Sequence, residues 1–129
     1  MSYEETDKLY NSFFSAFRKA GIAQSLFHSL KQDLIRSGGY YDHTATYAGP
    51  GEVGDLFVPD LEFGKAAFIH DACYSYIRSC IKGGFTPLIN KSEADKIFYY
   101  CMMSTRGKFP FKKLRVKLYY LAVVKLGAI

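Results

Sequence analysis

The sequence predicts a small all-α domain in which two antiparallel central helices carry the functional residues and a glycine-rich loop lies beside them. Apolar residues recur every four positions along much of the chain, which is typical of amphipathic helices. Capping residues and glycine pairs mark the ends of these segments. Strands are expected only at 40–58, where they would form a short hairpin at most. With 129 residues, the chain is long enough for one domain with a hydrophobic core.

Composition divides this single domain into four consecutive segments. They are the N-terminal helices at 1–39, the glycine-rich loop at 40–59, the central helix pair at 60–104 and a basic C-terminal helix at 105–129. In the first segment, two apolar stripes predict helices at 2–20 and 22–37. The stripes consist of Leu9, Phe13 and Phe17, then of Ile22, Leu26, Leu30 and Leu34.

The helix boundaries follow from capping signals. Ser2 with Glu5 predicts a capping box at the start of the first helix, and Gly21 predicts its end. Ser92 predicts the N-cap of a helix at 93–104. Asp95 then falls in the first turn, where the helix dipole alone favours an acidic residue. The other helices are predicted at 60–82 and 110–126.

Composition excludes some classes of protein. About half of the residues are apolar, which argues against a disordered chain. No apolar run approaches the roughly 20 residues of a membrane-spanning helix, and the acidic start is not a secretory signal as written. Cys73, Cys80 and Cys101 show no C-x-x-C spacing, so they are predicted to be free thiols. A disulfide-free chain is expected to be intracellular, virion-associated or exported by another route.

The net charge of +5 is concentrated near the C-terminus. Every charged residue from Arg106 to Lys125 is basic. Such a block favours an anionic partner, either a phospholipid surface or nucleic acid. The alternative interpretation is a solvated helix face.

A histidine and an aspartate stand together within the apolar run of the third predicted helix. His70 and Tyr74 are one turn apart and share a face, whereas Asp71 points about 100° away. Imidazole is the side chain best suited to proton transfer near neutral pH, and Asp71 is free to hold another partner such as a metal ion. A purely structural role for this pair is the alternative.

The glycine-rich loop contains Tyr47-Ala48-Gly49-Pro50-Gly51. Glycines two apart let backbone carbonyls turn toward a common point. Calcium takes oxygen ligands, and backbone carbonyls serve well. An ordinary Pro-Gly turn is the alternative.

Three stretches together resemble the phospholipase A2 superfamily, most closely the compact, disulfide-poor form found in parvovirus capsid proteins. In chain order they are Tyr47-Ala48-Gly49-Pro50-Gly51, His70-Asp71-Ala72-Cys73-Tyr74 and Ala94-Asp95-Lys96-Ile97-Phe98. The likeness covers about 47–101, under half of the chain. Each motif is weak alone, and their common order makes the set more specific.

This resemblance implies calcium-dependent hydrolysis of the sn-2 ester of glycerophospholipids at membrane surfaces, with no covalent intermediate. His70 matches the base that activates water, Asp95 the acid that hydrogen-bonds the far ring nitrogen, and Tyr74 the phenol that steadies this acid. The implied Ca²⁺ ligands are Asp71 and the backbone carbonyls of Tyr47, Gly49 and Gly51. The expected partner is an anionic phospholipid membrane, and no nucleic acid is expected.

The sequence also departs from the family. Ala66, Ala67 and Ala94 stand where secreted members carry cysteines, which supports a disulfide-free version. Glu52 stands where viral relatives usually have Asn, so it either joins the metal site or points to solvent. A weaker likeness, through 70–74, 94–98 and 120–127, is to small phage-encoded proteins of unknown function.

Alternatives therefore stay open. The chain could be a non-catalytic lipid- or partner-binding protein on the same scaffold, or another metal-dependent hydrolase with His70, Asp71, Asp95 and His43 around a transition metal. Nucleic-acid binding through the basic helix is a weaker alternative. The aromatic residues Phe13, Phe14 and Phe17 either line an acyl channel or pack in the core.

Overall fold

The computed structural model describes residues 2–42, 61–105 and 112–129, without the side chains of Leu61 and Glu62. This part of the chain forms six helices and contains no strand, so the predicted all-α class is confirmed. The helices are α1 (Tyr3–Ser12), α2 (Phe14–Lys19), α3 (Gln24–Gly38), α4 (Leu61–Gly83), α5 (Lys91–Ser104) and α6 (Lys112–Leu126).

The N-terminal segment forms two helices, so the prediction of one helix at 2–20 is wrong. The break is at Phe13, whose backbone has φ −102° and ψ 13° and whose amide donates to the Tyr10 carbonyl three residues earlier. The break lets the two halves follow different neighbours, since α1 packs on α3 and α2 packs on α5. At the start, the Ser2 hydroxyl accepts a hydrogen bond from the Glu5 amide, as the capping signal predicted.

The buried face of α3 differs from the predicted stripe at one position. Leu30 and Leu34 are fully buried, but Leu26 is 44% exposed. Phe27 takes the buried place, because its ring packs edge-on against Phe14 and Phe17 at 4.8 and 5.2 Å between centroids. The aromatic contact with α2 therefore decides which residues of this helix enter the core.

The helix that carries the His-Asp pair, α4, packs against both α3 and α5. The small residues Ala66, Ala67 and Ala72 are all buried. A Cβ atom on Gly38 would lie 2.5 Å from the Cβ of Ala72, so α3 and α4 approach each other closely at this point. This contact places the middle of α4 in the core.

The start of α5 differs from the prediction. Asn90, not Ser92, is the N-cap, and it forms a capping box with Glu93 in which each side chain accepts a hydrogen bond from the other residue's amide. The helix therefore begins at Lys91, and Asp95 lies beyond its first turn. Asp95 is only 1% exposed, so a first-turn preference for acidic residues does not explain it.

The last helix, α6, packs against α5. Val116 and Val123 are buried, and its two tyrosines turn toward the protein. Tyr119 contacts Phe63 at 5.9 Å and Tyr120 contacts Tyr99 at 5.2 Å between ring centroids. None of the described helices is long and apolar enough to cross a membrane.

Several predictions lie outside the described residues. They are the possible hairpin and the loop residues His43, Tyr47, Gly49, Gly51 and Glu52. The helix predicted at 60–82 corresponds to α4 and the helix predicted at 93–104 to α5, and a short connection joins the two.

Candidate active site

Two aromatic side chains from the middle of α4 form one side of the site. His70 and Tyr74 lie one helical turn apart, and their ring centroids are 4.2 Å apart. Phe98 of α5 covers the imidazole from another direction, at 4.7 Å between centroids. His70 has no exposed surface, so its hydrogen bonds must come from the protein or from buried water.

Asp95 of α5 meets both of these side chains. One carboxylate oxygen, Oδ1, lies 2.8 Å from Nε2 of His70 and accepts a hydrogen bond from the Tyr74 hydroxyl at 2.6 Å. The three residues are separated by as many as 25 positions in the chain. The structure thus brings together the histidine, acid and phenol that the motifs singled out.

A fourth member of this network, Lys91, was not predicted. Its ammonium group lies 2.8 Å from Oδ2 of Asp95 and also donates to the carbonyls of Val123 and Val124, at 3.0 and 3.3 Å. Lys91 and Asp95 are spaced i, i+4, which is the sequence signal for such a pair. The predicted N-cap at Ser92 concealed this pair, because it placed Lys91 before the start of the helix.

The electrostatics favour a neutral histidine beside an ionised aspartate. Burial lowers the pKa of His70 and outweighs the hydrogen bond and charge of Asp95, which raise it. Burial alone would raise the pKa of Asp95, but hydrogen bonds from His70, Lys91 and Tyr74 hold that pKa below its ordinary value. The ionised carboxylate only accepts hydrogen bonds, so Nε2 of His70 carries the ring proton and donates it.

The other ring nitrogen of His70 has no partner in the part of the chain that the structure describes. In the tautomer just derived, Nδ1 holds a lone pair, and among the described residues nothing donates a hydrogen bond to it. A buried acceptor without a donor costs about 1–3 kcal/mol. Such an atom calls for an explanation, and a bound water or a catalytic role supplies one.

Asp71 follows His70 on the same helix and is only partly buried. Burial raises its pKa to about 7, and the charge of Arg78 lowers that pKa only in part. No other described residue pairs with this carboxylate. A half-buried carboxylate that the charge of Arg78 offsets only in part fits a hard cation, which would supply further positive charge.

The described residues contain no cluster of three or more His, Cys, Asp or Glu side chains placed to hold a metal. The carbonyl ligands that the resemblance implies lie outside them, at Tyr47, Gly49 and Gly51. His43, the extra ligand of the transition-metal alternative, lies there as well. Asp71 is thus the one implied calcium ligand that can be placed.

Two of the three cysteines are unsuited to act as nucleophiles. Cys73, Cys80 and Cys101 are free thiols, as predicted. Cys73 and Cys101 are fully buried, and burial raises the pKa of both thiols. Since the thiolate is the reactive form, neither is suited to act as a nucleophile. Cys80 is only partly buried.

The three aromatic residues near the N-terminus divide between the core and a cavity. Phe13 and Phe17 belong to the core. Phe14 lines a cavity of about 340 Å³ together with Phe27 and His28, and none of the site residues borders it. These contacts favour core packing over an acyl channel for Phe13 and Phe17.

Comparison of the chain with models of known protein families, with curated proteins and with solved structures gives no match. The basis for assigning a function is therefore the geometry around His70 and the three motifs. Two of the three motifs contain the residues that this geometry brings together, namely His70, Tyr74 and Asp95.

Proposed function

We propose that the protein is a calcium-dependent hydrolase of the sn-2 ester of glycerophospholipids, acting at a membrane surface. One observation carries this proposal. Nε2 of the buried His70 lies 2.8 Å from Oδ1 of Asp95, which also accepts a hydrogen bond from the Tyr74 hydroxyl. No described residue donates to the other ring nitrogen, Nδ1. A histidine that served only to join α4 and α5 would not need one nitrogen kept as an acceptor without a donor among these residues.

The proposed chemistry begins with a water molecule bound at Nδ1. The lowered pKa of His70 keeps the ring neutral near pH 7, which is the state that can accept a proton. As the water attacks the ester carbonyl, its proton moves to Nδ1. When the tetrahedral intermediate collapses, the sn-2 C–O bond breaks and the imidazolium returns the proton to the leaving lysophospholipid oxygen, so fatty acid and lysophospholipid are released. The carboxylate of Asp95 stabilises the imidazolium that forms and keeps the ring in its orientation, as acids behind histidines do in acyl-transfer enzymes.

The proposed calcium site consists of the Asp71 carboxylate and the backbone carbonyls of Tyr47, Gly49 and Gly51. Bound Ca²⁺ would supply positive charge for the developing oxyanion and for the phosphate of the lipid. The neighbouring positions of His70 and Asp71 on α4 place the base and the cation ligand on adjoining faces of the helix.

The proposed partner is an anionic phospholipid membrane, and α6 offers a surface for it. Leu114, Leu118 and Leu121 are 54%, 56% and 40% exposed and recur along one side of the helix. Lys113 and Lys117 are exposed beside them. An apolar stripe flanked by lysines suits the boundary between acyl chains and anionic headgroups.

The reaction also requires the buried histidine to become accessible. His70 has no exposed surface in this structure, so water and ester reach Nδ1 only if the side chains around the ring move aside. We expect hydrolysis to be faster on aggregated lipid than on dispersed monomers, because the membrane would stabilise the opened arrangement.

Release of fatty acid tests the proposal. The substrate is vesicles of phosphatidylcholine with phosphatidylserine, in calcium and in excess chelator. We expect release only with calcium, and its loss in His70→Ala. His28→Ala is the matched control, because His28 is an exposed histidine on α3.

Release that persists in chelator, or in His70→Ala, would reject the mechanism. Binding to the vesicles without any release would instead favour the non-catalytic lipid-binding scaffold.

A further inference from the structure

The junction between α5 and the end of α6 contains a charge contact that the proposed chemistry leaves unexplained. The Lys91 ammonium has three hydrogens, and three acceptors surround it. These are Oδ2 of Asp95 and the carbonyls of Val123 and Val124. All three of its donors can therefore be satisfied in one orientation.

The position of Lys91 in α5 is unfavourable by itself. It is the first residue of the helix, where the partial positive charge of the helix dipole disfavours a cation. Two features offset this cost. Asp95 carries a full negative charge, and the carbonyls of Val123 and Val124 belong to the last turn of α6, where the helix dipole is negative.

The end of α6 also touches the phenol of the site. A Cβ atom on Gly127 would lie 2.5 Å from the Tyr74 hydroxyl and 2.5 Å from the Val123 carbonyl. The Gly127 amide donates to that carbonyl at 2.9 Å, which closes the helix. The end of α6 is thus in contact with the Tyr74 hydroxyl, which donates a hydrogen bond to Asp95.

We propose that Lys91 is a positioning residue of the site, which fixes the Asp95 carboxylate through Oδ2 and makes the last turn of α6 part of the His70–Asp95 arrangement. A carboxylate held at one oxygen alone can rotate about its Cβ–Cγ bond. With Oδ2 fixed by Lys91, Oδ1 is directed at both Nε2 of His70 and the Tyr74 hydroxyl.

This inference rests on the proposed function for its effect on rate, but the positioning itself can be measured without any substrate. The first measurement is the NMR resonance of the His70 Nε2 proton. A buried, hydrogen-bonded ring proton exchanges slowly and resonates far downfield. We expect this resonance in the unaltered protein, and we expect it to broaden or shift upfield in Lys91→Met.

The second measurement is hydrolysis of the phosphatidylcholine and phosphatidylserine vesicles. Loss of an outer partner of a functional side chain typically lowers activity by about 10–100-fold, and we expect that fall in kcat for Lys91→Met. The KM should stay within about twofold, since Lys91 contacts no proposed substrate group. Lys91→Arg, which keeps the charge, should recover part of kcat.

Lys96→Met is the matched control, because Lys96 is an exposed lysine on the same helix. It should leave both measurements unchanged. Gly127→Ala disturbs the junction from the α6 side without removing a charge, and we expect it to shift the Nε2 proton through Tyr74. If Lys91→Met does not fold, the Nε2 proton resonance of Gly127→Ala is the deciding measurement.

An unchanged Nε2 proton resonance in folded Lys91→Met, or in Gly127→Ala when Lys91→Met does not fold, overturns the positioning role. A shifted resonance in a protein that releases no fatty acid retains that role and rejects the hydrolase proposal. A fall in kcat with an unchanged resonance also overturns it, since Lys91 would then act by another route.

Discussion

Replacing Asp95 by Asn removes one charge from the centre of the site without changing its shape. Oδ1 accepts from His70 and Tyr74, and Oδ2 lies 2.8 Å from the Lys91 ammonium. If the amide oxygen of the Asn faces His70 and Tyr74, its NH₂ group faces the ammonium. If the amide turns over, the NH₂ group faces the hydroxyl and the ring N–H. The first orientation sets donor against donor at Lys91, and the second requires the ring proton to move to Nδ1 so that Nε2 can accept.

The expected loss of stability follows from burial. Removing one partner of a buried charge pair costs about 3–5 kcal/mol, because the other charge is left uncompensated. The Lys91 side chain is 33% exposed and can partly return to water, so we expect the lower end, about 3 kcal/mol. A domain of this size is stable by about 5–15 kcal/mol, so the variant should remain folded.

Urea unfolding of the chelator-treated protein, followed by far-ultraviolet circular dichroism, measures this loss. Asp33→Asn is the control, because Asp33 pairs with Arg36, whose side chain is 76% exposed. That surface pair should contribute less than about 1 kcal/mol. If Asp95→Asn loses no more than Asp33→Asn, the buried network does not stabilise the fold and the reasoning is refuted.

Three further variants test other parts of the structure. Tyr74→Phe removes one hydrogen bond to Asp95, so its free energy of unfolding should fall by about 1–3 kcal/mol in urea titrations. Gly38→Ala should lower the melting temperature, because the new Cβ would lie 2.5 Å from that of Ala72 and such overpacking costs about 1–3 kcal/mol. Burial raises the pKa of Asp71 from 3.8 to about 7, so this group stabilises the metal-free fold below pH 3.8, and the contribution is lost as pH rises to about 7. Thermal unfolding from pH 4 to 8 should show this loss in the unaltered protein relative to Asp71→Asn, and an equal pH dependence of the two proteins would contradict it.

Local sequence signals predicted the elements that carry the site. The periodicity around His70 indicated a long helix, and the observed α4, Leu61–Gly83, agrees with it. The spacing of His70 and Tyr74 implied a shared face, and their rings are in contact. These properties depend on the geometry of a single helix, which repeats every 3.6 residues whatever surrounds it.

Other features needed the packed structure. Nothing in the spacing around Leu26 and Phe27 decides which enters the core, because both lie on one side of α3 and the rings of α2 select Phe27. The start of α5 had two good capping residues, Asn90 and Ser92. The reciprocal hydrogen bonds of Asn90 with Glu93 decided between them and brought Lys91 into the helix.

By itself, the sequence determined the helical class, the groups that share a face of α4 and the chemical types at the site. Only the tertiary structure decided that Lys91 joins His70 and Tyr74 at Asp95, and that no described residue donates to Nδ1 of His70. The physical reason is that two of the Lys91 partners are backbone carbonyls of α6, at Val123 and Val124. Every residue has such a carbonyl, so no side-chain pattern marks the ones that a distant lysine will meet.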